Sequence, residues 1–427
     1  MPLTRRQIYF RRRLAVFGTL AVLLGVGAYV PATLMAPLPE AAATLAPYSV
    51  ESGPAAQVAL PEWGASAIGA EGFGDRAAVA PEGAGVPTDA DPVGLLASAG
   101  SAEALPIASI AKVVTALVVL DAHPLEAGEP GPVIATTAAD LDHYHKQLAW
   151  NGSVRPVAPG LAFTQHELLE LLLVVSANNY AETLVTWAFG SEAAYVDAAG
   201  AWLSANGLTG ITIVDCTGLD PANRASAAHL LPLAELAMQH PVIAEIVGIA
   251  QGGMHDIGPY ENTNPVLGDP GVIGVKTGTL MDFGHNLLFA ADIPVGEHSV
   301  RVHGVVLGAP GRQALSDAVR NALASAGSGF QELSLTQAGQ AFGTYSTAWD
   351  ERTRLTAAAD ASIVAWSNTP VSVLVSSTPL SSAEAGARVG VATFVVGGET
   401  VEVPLVLDEA LSEPDPWWRL TNPAELF

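Results

Sequence analysis

From Leu14 to Met35 the chain runs for 22 residues without a charge, LAVFGTLAVLLGVGAYVPATLM, and no other stretch restricts its own conformation so tightly. In hydrocarbon every backbone N–H and C=O must find its partner inside the segment, so a single run of this kind can only be a helix. At about 1.5 Å per residue it is long enough to cross a hydrocarbon layer about 30 Å thick. Arg5, Arg6, Arg11, Arg12 and Arg13 precede it with no acidic residue among them, and such clusters stay on the cytoplasmic side. Residues 1–13 are therefore expected as a cytoplasmic basic segment, 14–35 as a transmembrane anchor, and the remainder as extracytoplasmic. The competing reading is a cleaved signal peptide, for which Ala41-Ala42-Ala43 offers small residues at a plausible distance; the length of the run and its continuation past Pro31 favour retention. Residues 36–56, rich in Ala, Pro, Ser and Glu and without helical or strand period, read as an extended linker.

All 42 acidic residues follow the apolar run, against 13 of the 18 basic ones. That balance argues against nucleic acid or anionic lipid as a partner of the main body. Half of the 427 residues are apolar and only 14% are charged, enough to bury at least one large core and to leave room for two folded units. The single cysteine, Cys216, cannot form an intramolecular disulfide. It sits in a largely apolar stretch with no basic neighbour to lower its pKa, and so reads as a buried structural residue and not as a nucleophile.

Short apolar and Gly-rich stretches near Val58–Val79 suggest a first pair of strands, and after Pro106 the run SIAKVVTALVVL, Ser109–Leu120, reads as a helix buried on most faces. Thr164 followed by Glu167 is a capping-box pattern opening a helix to about Val175; the SANN segment interrupts it before a second helix at Tyr180–Phe189. Ser191–Asn206, closed by Gly207, is a third. Val272–Thr279, His285–Asp292 and Ser299–Gly308 read as successive strands, with Arg312–Ala326 as a helix packed on them. From about Gly327 the chain turns to short β-like runs, among them Ser362–Trp366, Val371–Ser376, Ala392–Val396 and Val401–Val406. The fold class is therefore α+β. An antiparallel sheet flanked by helices and an all-helical lobe is expected over 57–325, and a smaller all-β domain over 326–427.

Three short patterns carry chemistry. In Ser109-Ile110-Ala111-Lys112 a helix would put the hydroxyl and the amine on one face, one turn apart. A serine hydroxyl needs a base to become a nucleophile, and a lysine can be that base only if burial or a second cation lowers its pKa. Ser176-Ala177-Asn178 would present a hydroxyl and a carboxamide at a break between two helices. In Lys276-Thr277-Gly278-Thr279 a regular strand would point Lys276 and Gly278 to one face and Thr277 and Thr279 to the other, with Gly278 allowing close approach to the backbone. The chain has three lysines, Lys112, Lys146 and Lys276, and two of them fall inside these patterns, which is hard to reconcile with chance.

The three patterns in this order resemble the active-site set of penicillin-binding proteins and serine β-lactamases. The contexts PIASIAKVVTAL, VVSANNYAETL, DCTGLDPANRAS and NTNPVLGDPGVIGVKTGTL resemble more closely the low-molecular-mass D-alanyl-D-alanine carboxypeptidase family, over residues 57–325. The resemblance implies a β-lactamase/transpeptidase-like fold and removal of the terminal D-Ala from peptidoglycan stem pentapeptides through an acyl-enzyme, with β-lactam antibiotics as inhibitors. It further implies that Ser109 is the nucleophile, Lys112 its base, and Ser176 the proton relay to the departing D-alanine. Asn178 would hold the substrate backbone and the lysine. Lys276, Thr277, Gly278 and Thr279 would form the substrate-binding edge, and the N–H groups of Ser109 and Thr279 the oxyanion hole. No cofactor or metal is implied, and His143 and His145, two apart in a polar segment, lack metal-ligand spacing. Tyr180 and the Cys216-Thr217 pair depart from the family pattern and suggest a cleft of different shape.

Two alternatives share these features. A serine β-lactamase of class A would need a Glu-x-x-Leu-Asn between the second and third patterns, and none occurs between Asn178 and Lys276. A non-catalytic cell-wall binding or scaffold protein would not need the complete set. His285 reads as a strand residue, and Trp417-Trp418 as packing.

Overall fold

The computed structural model describes residues 5–73 and 94–427. The first helix, α1, spans Arg5–Leu34, so the arginine cluster forms its first turns; it is long and apolar enough to cross a membrane.

The chain beyond α1 is fastened where a free linker was expected. Ala42–Leu45 pairs antiparallel with Ala341–Ser346 at the edge of a six-stranded sheet. Tyr48 packs its ring on Phe342 and donates its hydroxyl to Leu335 O at 2.7 Å. All four residues of this edge strand are exposed, so it carries no alternation of apolar and polar residues, and that alternation is what sequence reading detects.

A five-stranded antiparallel sheet has the order Val272–Leu280, Gly284–Val295, His298–Ala309, Ala65–Ala70, Leu95–Gly100. Ala65–Ala70 pairs with Leu95–Gly100 on one side and His298–Ala309 on the other; the part of the expected first pair at residues 74–79 lies outside the described residues. Both faces of the sheet are covered. Leu287, Phe289 and Ala291 belong to one core cluster and Leu288 and Ala290 to another, the alternation a pleat imposes. Burial on both faces is why LLFAA reads as a continuous apolar run.

The helices follow in chain order. α2 covers Ala111–Ala122, α3 Ala138–Ala149, α4 Gln165–Leu173, α5 Asn178–Phe189, α6 Glu192–Ala205, α7 Leu231–Gln239 and α8 Pro241–Val247; all but α3 contribute to the cluster on one face of the sheet, and α3 packs on α5. α9, Arg312–Gly327, covers the other face through Leu315, Val319 and Ala322. The expected helix from Ser109 starts two residues later, because Ala108–Ile110 forms a 3-10 turn first. α4 opens on the expected capping box: Thr164 Oγ1 accepts from the Glu167 N–H at 3.2 Å, and Glu167 Oε2 accepts from the Thr164 N–H at 2.8 Å.

Beyond α9 the chain is β-rich. Its strands include Phe330–Thr336, Ala361–Trp366, Val371–Ser377, Arg388–Val396 and Glu399–Leu407, around a core of Phe342, Tyr345, Phe394 and Leu405. Trp366 packs with Phe330 against α9 and donates Nε1–H to Ala326 O at 3.2 Å. A last short helix, α10 at Pro416–Thr421, meets the end of α1: Arg419 donates to Leu34 O and Ala36 O, and Tyr29 OH donates to Leu420 O. Trp418 packs edge-on to Trp349, whereas Trp417 is 72% exposed.

Replacing Thr164 by Ala removes the side-chain half of the α4 capping box, the acceptor of the Glu167 N–H, while the backbone N–H at position 164 still donates to Glu167; it is expected to cost about 1 kcal/mol, read as a lower denaturation midpoint of the purified chain.

Candidate active site

The turn that carries Ser109 is held from three sides. Ile107 N–H donates to Asn223 O at 3.0 Å, Asn286 Nδ2 donates to Pro106 O at 3.1 Å, and Ala108 takes a left-handed φ of 51°, rare for a residue with a side chain. Two glycines press on it. A Cβ on Gly218, whose φ is +78°, would lie 1.9 Å from Ala108 O; one on Gly278 would lie 2.9 Å from the Ala108 Cβ and 3.1 Å from Ser109 N. Gly278 therefore allows the strand edge to approach the serine's own backbone.

Lys112, one turn after Ser109, is fully buried. Its Nζ lies 2.9 Å from Ser109 Oγ, 2.7 Å from Asn178 Oδ1 and 2.6 Å from Thr217 O. An ammonium has three protons and would donate one to each. A neutral amine has two, which Asn178 Oδ1 and Thr217 O accept, leaving the lone pair on the side of the Ser109 hydroxyl. Burial lowers the Lys112 pKa to about 8, against the opposing charge of Asp215. Lys276, also buried, is pushed well below its ordinary value, first by burial and then by the charge of Lys112. The main depressing influence on Lys112 is thus the apolar helix itself, and repulsion between the two lysines falls chiefly on Lys276.

Thr217 is positioned by a loop built on one carboxylate. Asp215 accepts from the N–H groups of Thr217, Gly218 and Asp220, the Thr217 hydroxyl and Asn223 Nδ2, at 2.6–2.8 Å. Burial pushes its pKa up, but these donors outweigh it and hold the group below the usual range. Cys216 beside it is fully buried, and its thiol is raised well above its ordinary pKa by burial and by the Glu192 charge.

Ser176 occupies the break between α4 and α5 with φ 60°. The strain is held by the hydrogen bonds of the two residues that follow, from Ala177 N–H to Leu171 O at 2.9 Å and from Asn178 N–H to Ser153 O at 2.7 Å. Asn178 is the first residue of α5 and holds the lysine: Oδ1 accepts from Lys112, and Nδ2 donates to Gln147 Oε1 at 2.9 Å. Tyr180 departs from expectation. It is fully buried against Phe163, with its hydroxyl on Pro156 O, and lies in the helical lobe away from the cleft wall.

Val272–Leu280 is the edge strand of the five-stranded sheet. Ser109, Ser176, Asn178, Thr277, Gly278 and Thr279 line one cleft of about 290 Å³, with Lys112 and Lys276 buried behind it. Burial along this strand alternates as expected: Lys276 and Gly278 are buried, while Thr277 and Thr279 are more exposed and line the cleft, which Gly278 borders without a side chain. Lys276 Nζ donates to Thr277 O at 3.0 Å, and the Thr277 and Thr263 hydroxyls pair at 2.6 Å. Sequence reasoning missed Thr263, Asp215 and Arg312. Arg312 also lines the cleft, as does His285, whose Nδ1 is 3.1 Å from Thr279 Oγ1. Burial and the Arg312 charge lower the His285 pKa, so this strand residue is also part of the cleft. A second cavity of about 840 Å³ adjoins the first through Leu219 and Met281 and is bordered by Lys146 and Trp150.

The family pattern of D-alanyl-D-alanine carboxypeptidases matches residues 82–311. Among curated relatives, a D-alanyl-D-alanine carboxypeptidase of Mycobacterium tuberculosis is 30% identical over 200 residues, which is 44% of this chain and 63% of that protein. A D-alanyl-D-alanine endopeptidase of Pseudomonas aeruginosa is 27% identical over 196 residues, 44% of this chain and 60% of the relative. The chain thus spans less than two thirds of these relatives' lengths. The crystal structure of penicillin binding protein 5 from Haemophilus influenzae is similar in fold, with a TM-score of 0.55 and 16% identity over 87% of this chain and 100% of that one.

Gly218→Ala is expected to cost more than about 2 kcal/mol, because a positive φ is combined with overlap of the Ala108 carbonyl. Gly160→Ala, at φ +90° with nothing within 4 Å of the added Cβ, carries the backbone strain alone and should cost about 1–2 kcal/mol. Denaturant unfolding of the two variants side by side checks the difference.

Proposed function

The chain belongs to the D-alanyl-D-alanine carboxypeptidase family, and we propose that it is a serine-type carboxypeptidase that removes the terminal D-alanine from peptidoglycan stem pentapeptides, with β-lactams as its inhibitors. In this reading α1 is retained as a single-pass membrane anchor and the enzyme works on the extracytoplasmic side, where its substrate is. One observation carries the reading: the buried Lys112 Nζ has two fixed acceptors, Asn178 Oδ1 and Thr217 O, and turns its remaining valence to Ser109 Oγ at 2.9 Å.

The steps follow from that geometry. Neutral Lys112 takes the Ser109 proton as Oγ bonds to the carbonyl carbon of the penultimate D-alanine. The oxyanion that forms sits between the N–H groups of Ser109 and Thr279, from the turn and the strand edge that Gly278 lets approach. As the C–N bond breaks, Ser176 passes a proton from the Lys112 ammonium to the departing amine, and D-alanine leaves an ester on Ser109. Water then attacks the ester carbon and gives its proton to Lys112; as the bond from that carbon to Ser109 Oγ breaks, Lys112 returns the proton to Oγ and the acid product departs.

The substrate's terminal carboxylate meets Thr277, Thr279 and Lys276, with the Arg312 guanidinium as a further partner in the cleft lining. Its arrival brings a negative charge toward Lys276, which favours a proton there. A charged Lys276 in turn favours Lys112 in the neutral form that accepts the serine proton.

The Ser109→Ala variant, incubated with a pentapeptide ending in D-Ala-D-Ala, is expected to release no D-alanine above background and to take no fluorescent penicillin label, while the parent chain does both; equal release from the two would sink the mechanism. The base must be neutral to act, so acylation is expected to rise with pH to a plateau with a midpoint near the Lys112 pKa of about 8. A stopped-flow pH profile with a chromogenic β-lactam measures it.

A further inference from the structure

Asn178 is an amide, and an amide can turn end for end. Its two ends have nearly the same shape, but one accepts hydrogen bonds and the other donates them. While Lys112 is an ammonium, it selects the oxygen end by itself, because each of its protons needs an acceptor. Once Lys112 is neutral that selection vanishes. A turned Asn178 would donate to the amine's lone pair, the same lone pair that the Ser109 hydroxyl must reach.

A buried chain of side chains opposes that turn. Asn178 Nδ2 donates to Gln147 Oε1 at 2.9 Å, and Gln147 Nε2 makes a short hydrogen bond to Glu182 Oε1. Glu182 is the terminus that sets the direction, because an ionised carboxylate only accepts. Lys146 Nζ lies 2.9 Å from its Oε1 and His143 Nδ1 2.5 Å from its Oε2. Burial pushes the Glu182 pKa up, yet His143, Lys146 and Gln147 outweigh it and hold the carboxyl below its usual range. Turning Asn178 would set its oxygen against Gln147 Oε1. Relieving that by turning Gln147 would set Oε1 against the carboxylate.

Two helices supply the whole chain. His143, Lys146 and Gln147 stand one turn apart on α3, and Asn178 and Glu182 four residues apart on α5. Gln147, Asn178 and Glu182 are each under 5% exposed. Gln147 and Glu182 border the second cavity and do not line the catalytic cleft beside Ser109.

We propose that Gln147 and Glu182 are positioning residues that fix the polarity of Asn178, so that neutral Lys112 keeps its lone pair for Ser109. The inference rests on the reading of Ser109 as nucleophile and Lys112 as base. The other titratable groups acting on Lys112 are Asp215 and Cys216 of the loop and Lys276 of the edge strand; Asp140, Glu192 and Cys216 lie around the Glu182 cluster. The variants below leave all of these in place.

The test is the rate constant of acylation by a fluorescent penicillin, followed from pH 6 to 10 on the full-length chain and two variants. Gln147→Met keeps the volume and removes the polarity. The double variant Gln147→Glu/Glu182→Gln restores it in another form, because a carboxylate at position 147 can only accept from Asn178, and an amide at position 182 can donate to that carboxylate. Gln147→Met is expected to lower the high-pH plateau about tenfold, a fraction of what a general base supplies, and to move the midpoint to lower pH, because a turned amide stabilises the neutral amine. The double variant is expected to keep a plateau within about threefold of the parent and a midpoint near it. A merely structural loss that admits water to Lys112 would move the midpoint upward instead. The proposal is overturned by a Gln147→Met plateau within about threefold of the parent, by an upward midpoint, or by a double variant as impaired as Gln147→Met. If Gln147→Met does not fold, the double variant decides alone by keeping or losing the plateau. A parent chain that takes no label at all would instead overturn the reading of Ser109.

Discussion

The site depends on keeping one lysine out of water. Taking Lys112 into the interior costs several kcal/mol if its charge comes with it. The helix that carries it also buries Val113, Val114, Leu117, Val118, Val119 and Leu120, each contributing about 1.5–3 kcal/mol. The apolar side of that comparison is the larger, so α2 can hold an amine at its first turn at a tolerable cost. What remains of the cost is met by the acceptors around Nζ and by a pKa lowered to about 8, and both outcomes serve an amine that must alternate between charged and neutral forms.

The rest of the molecule can be understood as the means of bringing three acceptors to that one nitrogen. Thr217 O comes from a loop wound on the Asp215 carboxylate, and Asn178 Oδ1 from the first residue of α5. Ser109 Oγ comes from the turn pressed between Gly218 and Gly278. The sheet edge, the helical lobe and the loop all border the cleft in front of it. The residues with left-handed backbone at Ala108 and Ser176 sit on either side of the cleft, where packing from several elements holds conformations that local preference would abandon.

Much of the site was legible because its residue types are scarce or costly. A chain with three lysines that commits Lys112 and Lys276 to apolar surroundings exposes its chemistry in the sequence, and Thr164 with Glu167 marked the start of α4 through a purely local hydrogen-bond pattern. Gln147 and Glu182 gave no such signal. They lie 35 residues apart, on helices whose relative placement is a matter of packing, and a polar residue on a half-exposed helix reads as solvated surface. Arg312, at the first turn of α9, looked like an ordinary helix start, and only the packing of α9 across the face of the sheet brings it to the cleft. The linker was misread for the opposite reason. Ala42–Leu45 is held by backbone pairing, which leaves no trace in side-chain pattern.

By itself the sequence determined what local physics determines. That comprises a helix for the uncharged run, a sheet buried on both faces from its continuous apolar strands, a hydroxyl one helical turn from an amine, and the order of three motifs whose resemblance named a family. Tertiary structure alone decided which groups surround the amine. Burial, the orientation of the Asn178 amide and the chain through Gln147 to Glu182 depend on contacts between residues far apart in sequence. A hydrogen bond between distant residues is set by the geometry of packed elements, and no periodicity within one element can encode it.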